Sequence, residues 1–161
     1  MNNQVDVTNL ELSDWINVNT QQPGKFKVLV NYAAGLPDLS PSTYMVNTDW
    51  LERNKAVGIA FFAELLKTHR MIAANPKLVE DATRQYVKEI NEKALPEIIK
   101  AYMAIDAFAP NGGLTAKRVE GSIKFFTRPG QLEPGLSVEK SARLDILQDA
   151  LKIVGTVPGK P

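Results

Sequence analysis

The period of the hydrophobic pattern changes near Asn47, and that change constrains the fold more than any other feature of the chain. Upstream, apolar residues alternate as in half-buried strands: Val5 and Val7 in "QVDVTNL", the run "FKVLVNY" over 26–32, and "TYMVN", where Tyr44 and Val46 flank Met45. Downstream, the spacing becomes that of helices. The pattern predicts strands over 4–10, 26–32 and 42–46, with a short helical turn capped by Ser13 and a break at "QQPG". The cluster "NTD" then opens the helical part, with Asp49 and Glu52 at capping-box spacing.

A helix is expected over 55–74. Its apolar arc includes Val57, Ala60, Phe61 and Leu65 on one side and Ile59, Phe62, Leu66 and Ala73 on another, wide enough to need cover on two sides. Asn75-Pro76 ends it and restarts a second helix, whose stripe runs from Leu78 to Ile90. Pro96 restarts a third, with Leu95, Ile98, Ile99, Tyr102 and Ile105 as its stripe. "APNGG" at 109–113 is the clearest break, after which Thr115 caps a helix bearing Val119, Ile123 and Phe126. A last helix carries Leu144, Ile146, Leu147, Leu151 and Val154 and stops at Gly155. Three short strands followed by about five helices is a lopsided inventory, because strands and helices normally alternate to cover both faces of a sheet. The expected fold class is therefore α/β in part: strands belonging to a sheet whose other members lie outside this sequence.

Composition narrows the function classes. The 161 residues suit one ordinary domain or a piece of a larger one. Nineteen basic and eighteen acidic residues are interspersed, with a net charge of +1, so no basic stripe follows a phosphate backbone, and nucleic acid is not an expected partner. The absence of cysteine excludes disulfides, thiolate catalysis and cysteine-rich zinc sites, and one histidine, His69, forms no metal cluster by itself. No run approaches the roughly 20 apolar residues of a membrane span, and no signal peptide opens the sequence. "NGG" at 111–113 lacks the lysine and hydroxyl residue of a phosphate loop. Glu11, Asp14 and Asp38 lack the spacing of a metal loop, His69 falls on an apolar helix face, and Arg128 in "TRPGQ" reads as a solvated turn residue.

Four stretches, in order, resemble the C-terminal half of a periplasmic substrate-binding protein of the sulfonate, nitrate, taurine and thiamine-precursor type, the receptor of an ABC importer. "NNQVDVTNLELSDW" is similar to the family's "sG-x-vDa" strand, with Asn3 where the family has glycine. "KFKVLVNYAAGLPDLSPSTYMVNTDWLERN" resembles the segment returning to the first lobe. "LLKTHRMIAANPKLVEDATRQYV" resembles the helical region broken at "NP", and "FFTRPGQLEPGLSVEKSARLDILQDALKIVG" resembles the tail. The resemblance implies a partial type II periplasmic-binding-protein fold, with 1–46 as the end of lobe 2 and the crossover strands, and 47–161 as the helical part packing on lobe 1. It implies transport without catalysis, no cofactor or metal, and a periplasmic location. The implied partners are a small-molecule ligand, the importer permease and the N-terminal lobe. By resemblance the cleft residues are Asn9, Glu11 and Trp15 from the opening stretch and Ser42 and Tyr44 from the return segment. Trp15 and Tyr44 offer flat apolar surfaces with a polar edge, while Asn9 and Ser42 orient a ligand by hydrogen bonds. Two other readings stay open: a fragment of an enzyme like thiamine-pyrimidine synthase, and a free-standing helical interaction module built on 47–155.

Overall fold

The computed structural model describes residues 6–39, 43–127 and 134–160. Helices account for 59% of the described residues, among which no sheet forms. The expectation of an α/β fold with three N-terminal strands is overturned. Residues 6–10 are exposed and irregular, as are 27–30 and 43–46, and Phe26 is irregular and half-buried. A strand is stable only when its backbone groups are paired, and alternation in sequence supplies the side chains of a strand without supplying its neighbour. The end of the second expected strand is helical instead. Asn31 caps a single turn, α2 (Tyr32–Gly35), by accepting a hydrogen bond from the Ala34 amide at 3.2 Å, so its side chain offers the backbone a local alternative to a ladder.

The chain divides into two compact units. The first comprises Met1–Leu29 and Asn75–Ala107. Here α1 (Leu12–Gln21) packs on α6 (Leu95–Ala104), which also meets α5 (Lys77–Tyr86). The core residues of these segments are Ile16, Ala94, Leu95 and Ile99. Helix α1 runs a full ten residues beyond Glu11, its N-cap, where the sequence suggested one turn starting at Ser13. Helix α5 stops at Tyr86, short of the expected Ile90, and Leu78, Tyr86 and Val87 of its apolar stripe are exposed.

The second unit comprises Val30–Ala74 and Phe108–Pro161. Its spine is α4 (Lys55–Ala74), which coincides with the expected 55–74. Helix α9 (Leu144–Val154) lies along it, burying Ala63, Leu66 and Ala150, with Ile59, Phe62, Leu147, Leu151 and Val154 packed around them. Helix α3 (Thr48–Arg53) precedes α4 and packs Leu51 against Gly58, where an added Cβ would meet the Leu51 side chain at 2.7 Å. The cap of α3 is Asn47, which accepts from the Trp50 amide at 2.9 Å, one position set different from the expected Asp49 box. Helices α7 (Ala116–Phe126) and α8 (Val138–Ser141) complete the unit, α7 capped by Thr115 as the sequence suggests. Away from α9, Val57, Phe61 and Met71 of α4 are exposed, where the sequence suggested cover on two sides.

Candidate functional site

Of the five candidate ligand residues, three belong to the first unit. Asn9 and Glu11 are exposed, and Trp15 is half-buried on the first turn of α1, its amide bonded to the Glu11 carbonyl at 2.9 Å. The order along the chain brings these three into one short stretch. Deeper in α1, the side-chain oxygen of Asn17 is buried without a hydrogen-bond partner. Ser42 lies outside the described residues, as does Arg128.

Tyr44 belongs to the second unit and is the centre of an aromatic cluster. Its ring meets Phe61 at 6.1 Å and Phe62 at 5.8 Å between centroids, and those two meet each other at 5.4 Å, all edge to face. Such contacts contribute about 0.5–1.5 kcal/mol each beyond area burial. They join Tyr44 to α4. Tyr44 and Phe61 remain more than half exposed, and Met45 is 94% exposed, so the cluster is an apolar surface held in a fixed shape. The Phe61-Phe62 doublet was legible only as core, because adjacent helical residues point in different directions and nothing marked one of them for the surface.

A second constellation was not foreseen. Arg70, near the end of α4, donates from Nε to the Pro110 carbonyl at 3.0 Å, from Nη1 to the Val154 carbonyl at 2.7 Å and from Nη2 to the Gly155 carbonyl at 2.7 Å. It thus places a cation at the C-terminus of α9, where unpaired carbonyls and the helix dipole concentrate negative potential. Asn111 extends the clamp: Nδ2 donates to the Val157 and Lys160 carbonyls at 2.9 and 2.8 Å, and Oδ1 accepts from the Val157 amide at 2.9 Å. The intervening turn needs glycine, since Gly112 and Gly113 have φ of +91° and +70°. His69 stands beside it, its Nδ1 3.2 Å from the Ala109 carbonyl and its ring edge-on to Phe108 at 5.8 Å. The histidine is spent on packing and a backbone contact.

Charges gather at the N-terminus of α9. Arg143 pairs with Asp145 at 2.8 Å and with Glu52, Lys55 reaches Asp145 at 3.1 Å, and Lys152 pairs with Asp149 at 2.7 Å. The Arg143 hydrogen bonds, with help from Lys55, hold the Asp145 carboxyl well below the usual carboxylate range against an opposing desolvation cost. The same bonds, first to Asp145 and then to Glu52, raise Arg143. All members have partners, which makes this a structural network. Asp38 is likewise paired, with Lys117 at 2.9 Å. Among the described residues no three His, Asp or Glu side chains converge as metal ligands, and no helix is long and apolar enough to cross a membrane.

Two shallow clefts occur in the second unit. One, of about 220 Å³, is lined by Gly35–Leu39, Gly121 and Phe125, and the other, of about 310 Å³, by Glu120, Ile123, Lys124 and Leu136–Glu139. Both are at or below the lower end of the range that encloses a small organic ligand. Comparison with protein-family models, curated proteins and solved structures finds no match to this chain.

Proposed function

We propose that the chain is the C-terminal portion of a solute-binding component of an ABC importer, taking a small anion or related nutrient such as a sulfonate, nitrate or a thiamine precursor, and performing no catalysis. The observation that carries this reading is the state of the segments matching the family's return region. Val28, Leu29 and Val30 are 54%, 76% and 68% exposed, and no backbone hydrogen bond joins 26–30 or 43–46 to any other described residue. Apolar side chains on unpaired, non-helical backbone are groups in search of a partner chain or lobe. In the receptor that partner is the N-terminal lobe, and the ligand contacts proposed from the first unit are Asn9, Glu11 and Trp15. The chemistry of those three suits a ligand with one flat or apolar portion and a polar head held by hydrogen bonds. The location is the periplasm and the further partner is the importer permease.

The test is to extend the chain with the in-frame upstream coding sequence and to record melting temperature against nitrate, taurine, alkyl sulfonates, aromatic acids and an aminopyrimidine. A ligand at 100 times its Kd stabilises the bound form by about 2.7 kcal/mol, a shift of several degrees. Stop codons in that frame, or no shift with any of these ligands, would defeat the proposal. A second reading, a free-standing helical interaction module built on 47–155, is favoured by Val57, Phe61 and Met71, exposed along α4. Limited proteolysis separates them: a stable core spanning 47–155 after loss of the opening segment supports the module.

A further inference from the structure

Asn111-Gly112 is the one Asn-Gly pair in the sequence. At such a pair the asparagine amide is chemically labile, because the following residue has no side chain to hinder attack of its backbone nitrogen on the asparagine Cγ. The fold restrains both reacting groups. The Gly112 N–H donates to the Ala109 carbonyl at 3.0 Å, and Gly112 lies so close to α9 that an added Cβ would meet Leu147 at 2.7 Å. The Asn111 amide is held at both of its atoms. Nδ2 donates to the Val157 and Lys160 carbonyls at 2.9 and 2.8 Å, and Oδ1 accepts from the Val157 amide at 2.9 Å, with Arg70 Nη2 3.5 Å away. All of these residues belong to the second unit. Val157 and Lys160 stand beyond the end of α9, the first half-buried and the second exposed, and an end of the chain with so little burial opens far more often than the core does.

We propose that Asn111 is a site of spontaneous deamidation gated by the 157–160 tail, and that its conversion keeps the tail from binding again. With the tail away, the Asn111 side chain turns freely, and local opening of the 109–112 turn frees the Gly112 nitrogen. That nitrogen gives its proton to base and attacks Asn111 Cγ; the bond from Cγ to Nδ2 breaks, and the nitrogen leaves as ammonia with a proton taken from water. The resulting succinimide takes up one water, which opens either carbonyl and leaves aspartate or isoaspartate at position 111. Water is the only co-reactant and ammonia the only product lost. A carboxylate accepts hydrogen bonds and donates none, so it sets negative oxygen against the Val157 and Lys160 carbonyls, where the amide donated. It also draws on Arg70, whose Nη2 is near Oδ1, in competition with the Val154 and Gly155 carbonyls. Isoaspartate further inserts a methylene into the main chain of a turn fixed by the positive φ of Gly112 and Gly113. Tail release and deamidation are thus coupled in one direction. The coupling rests on the geometry of the second unit and not on the solute-binding reading.

The test is to incubate the chain at mildly alkaline pH, folded and in urea, and to follow aspartate and isoaspartate in the tryptic peptide 101–117 by mass spectrometry. Asn111 is the only asparagine in that peptide. Conversion in the folded chain is expected to be slower than in urea by about tenfold or more, which corresponds to an opening free energy of about 1.4 kcal/mol or more. Arg70→Ala, and Val157→Pro, which removes the N–H that Oδ1 accepts, are each expected to speed conversion several-fold while keeping their helix content by circular dichroism. Asn111→Asp is expected to lose amide-exchange protection over 155–160 while Leu66 and Ala150 keep theirs. No acid at position 111 in urea overturns the site, and a folded rate equal to the rate in urea overturns the gate. So does either variant, folded, at the wild-type rate. Asn111→Asp with the tail protected as in wild type overturns the one-way release. Val157→Pro alters only the tail beyond α9 and keeps the test decisive should Arg70→Ala perturb folding.

Discussion

Arg70→Ala removes the cation that closes the end of α9. Three strong hydrogen bonds are lost, to the carbonyls of Pro110, Val154 and Gly155. A bond from a charged donor contributes roughly 1.5–3 kcal/mol, but Gly155 is exposed and water can replace part of what is lost there. Counting about 1 kcal/mol per bond gives a destabilisation of about 3 kcal/mol, which for a chain of this size lowers Tm by roughly 6–12 °C. Arg70→Lys should recover less than half, because an ammonium cannot fork across three carbonyls held at fixed positions. The assay is thermal unfolding followed by circular dichroism, with amide hydrogen exchange over 154–160 to localise the loss. Asn111→Ala should cost about 1–2 kcal/mol by releasing Val157 and Lys160. The double variant should cost less than the sum, because both side chains hold the same tail. If Arg70→Ala melted within about 1 °C of wild type, the clamp would be an incidental contact and the reasoning would fail.

Gly121→Ala should destabilise by about 1–3 kcal/mol, because an added Cβ would lie 2.4 Å from the Asp38 carbonyl oxygen, which cannot yield as a side-chain tip can; chemical denaturation measures it. Asp145 is held below its ordinary 3.8, so its contribution is complete above that value and is lost as pH falls through the lower folded-state value. Acid unfolding of Asp145→Asn should lack that component, whereas an identical acid limb in both proteins would contradict the assignment. Trypsin should cut first after Lys25 or Lys27, which flank exposed backbone free of hydrogen bonds to other described residues; mass spectrometry of early fragments would reveal any other first site.

Local signals carried the helical part of the fold. The ends of α4 are set by the period of its apolar residues and by the Asn75-Pro76 break, and Thr115 caps α7 through a bond to the Arg118 amide three residues on. Each of these depends on residues within a turn or two. The strands failed for the complementary reason: "FKVLV" has the composition of a strand, but whether it becomes one depends on a neighbour the sequence does not name. Tyr44 entered through family resemblance, and its aromatic partners lie 17 and 18 residues away, beyond any periodic pattern. Arg70 and Asn111 were invisible as a pair because they bind backbone carbonyls, which every residue possesses. Only the folded path of the chain decides which carbonyls come within reach.

The interleaving of the two units has a consequence for synthesis. Leu66 and Ala150, which share one core, are some 80 residues apart, and α1 waits about as long for α6. At 5–20 residues per second a ribosome takes roughly 4–16 s to cross such a gap. Throughout that interval the Ala63–Leu66 face of α4 is uncovered by α9 in the nascent chain. The core of the second unit thus closes only after α9 has been made, and until then the Ala63–Leu66 face is where a holding chaperone would find its grip.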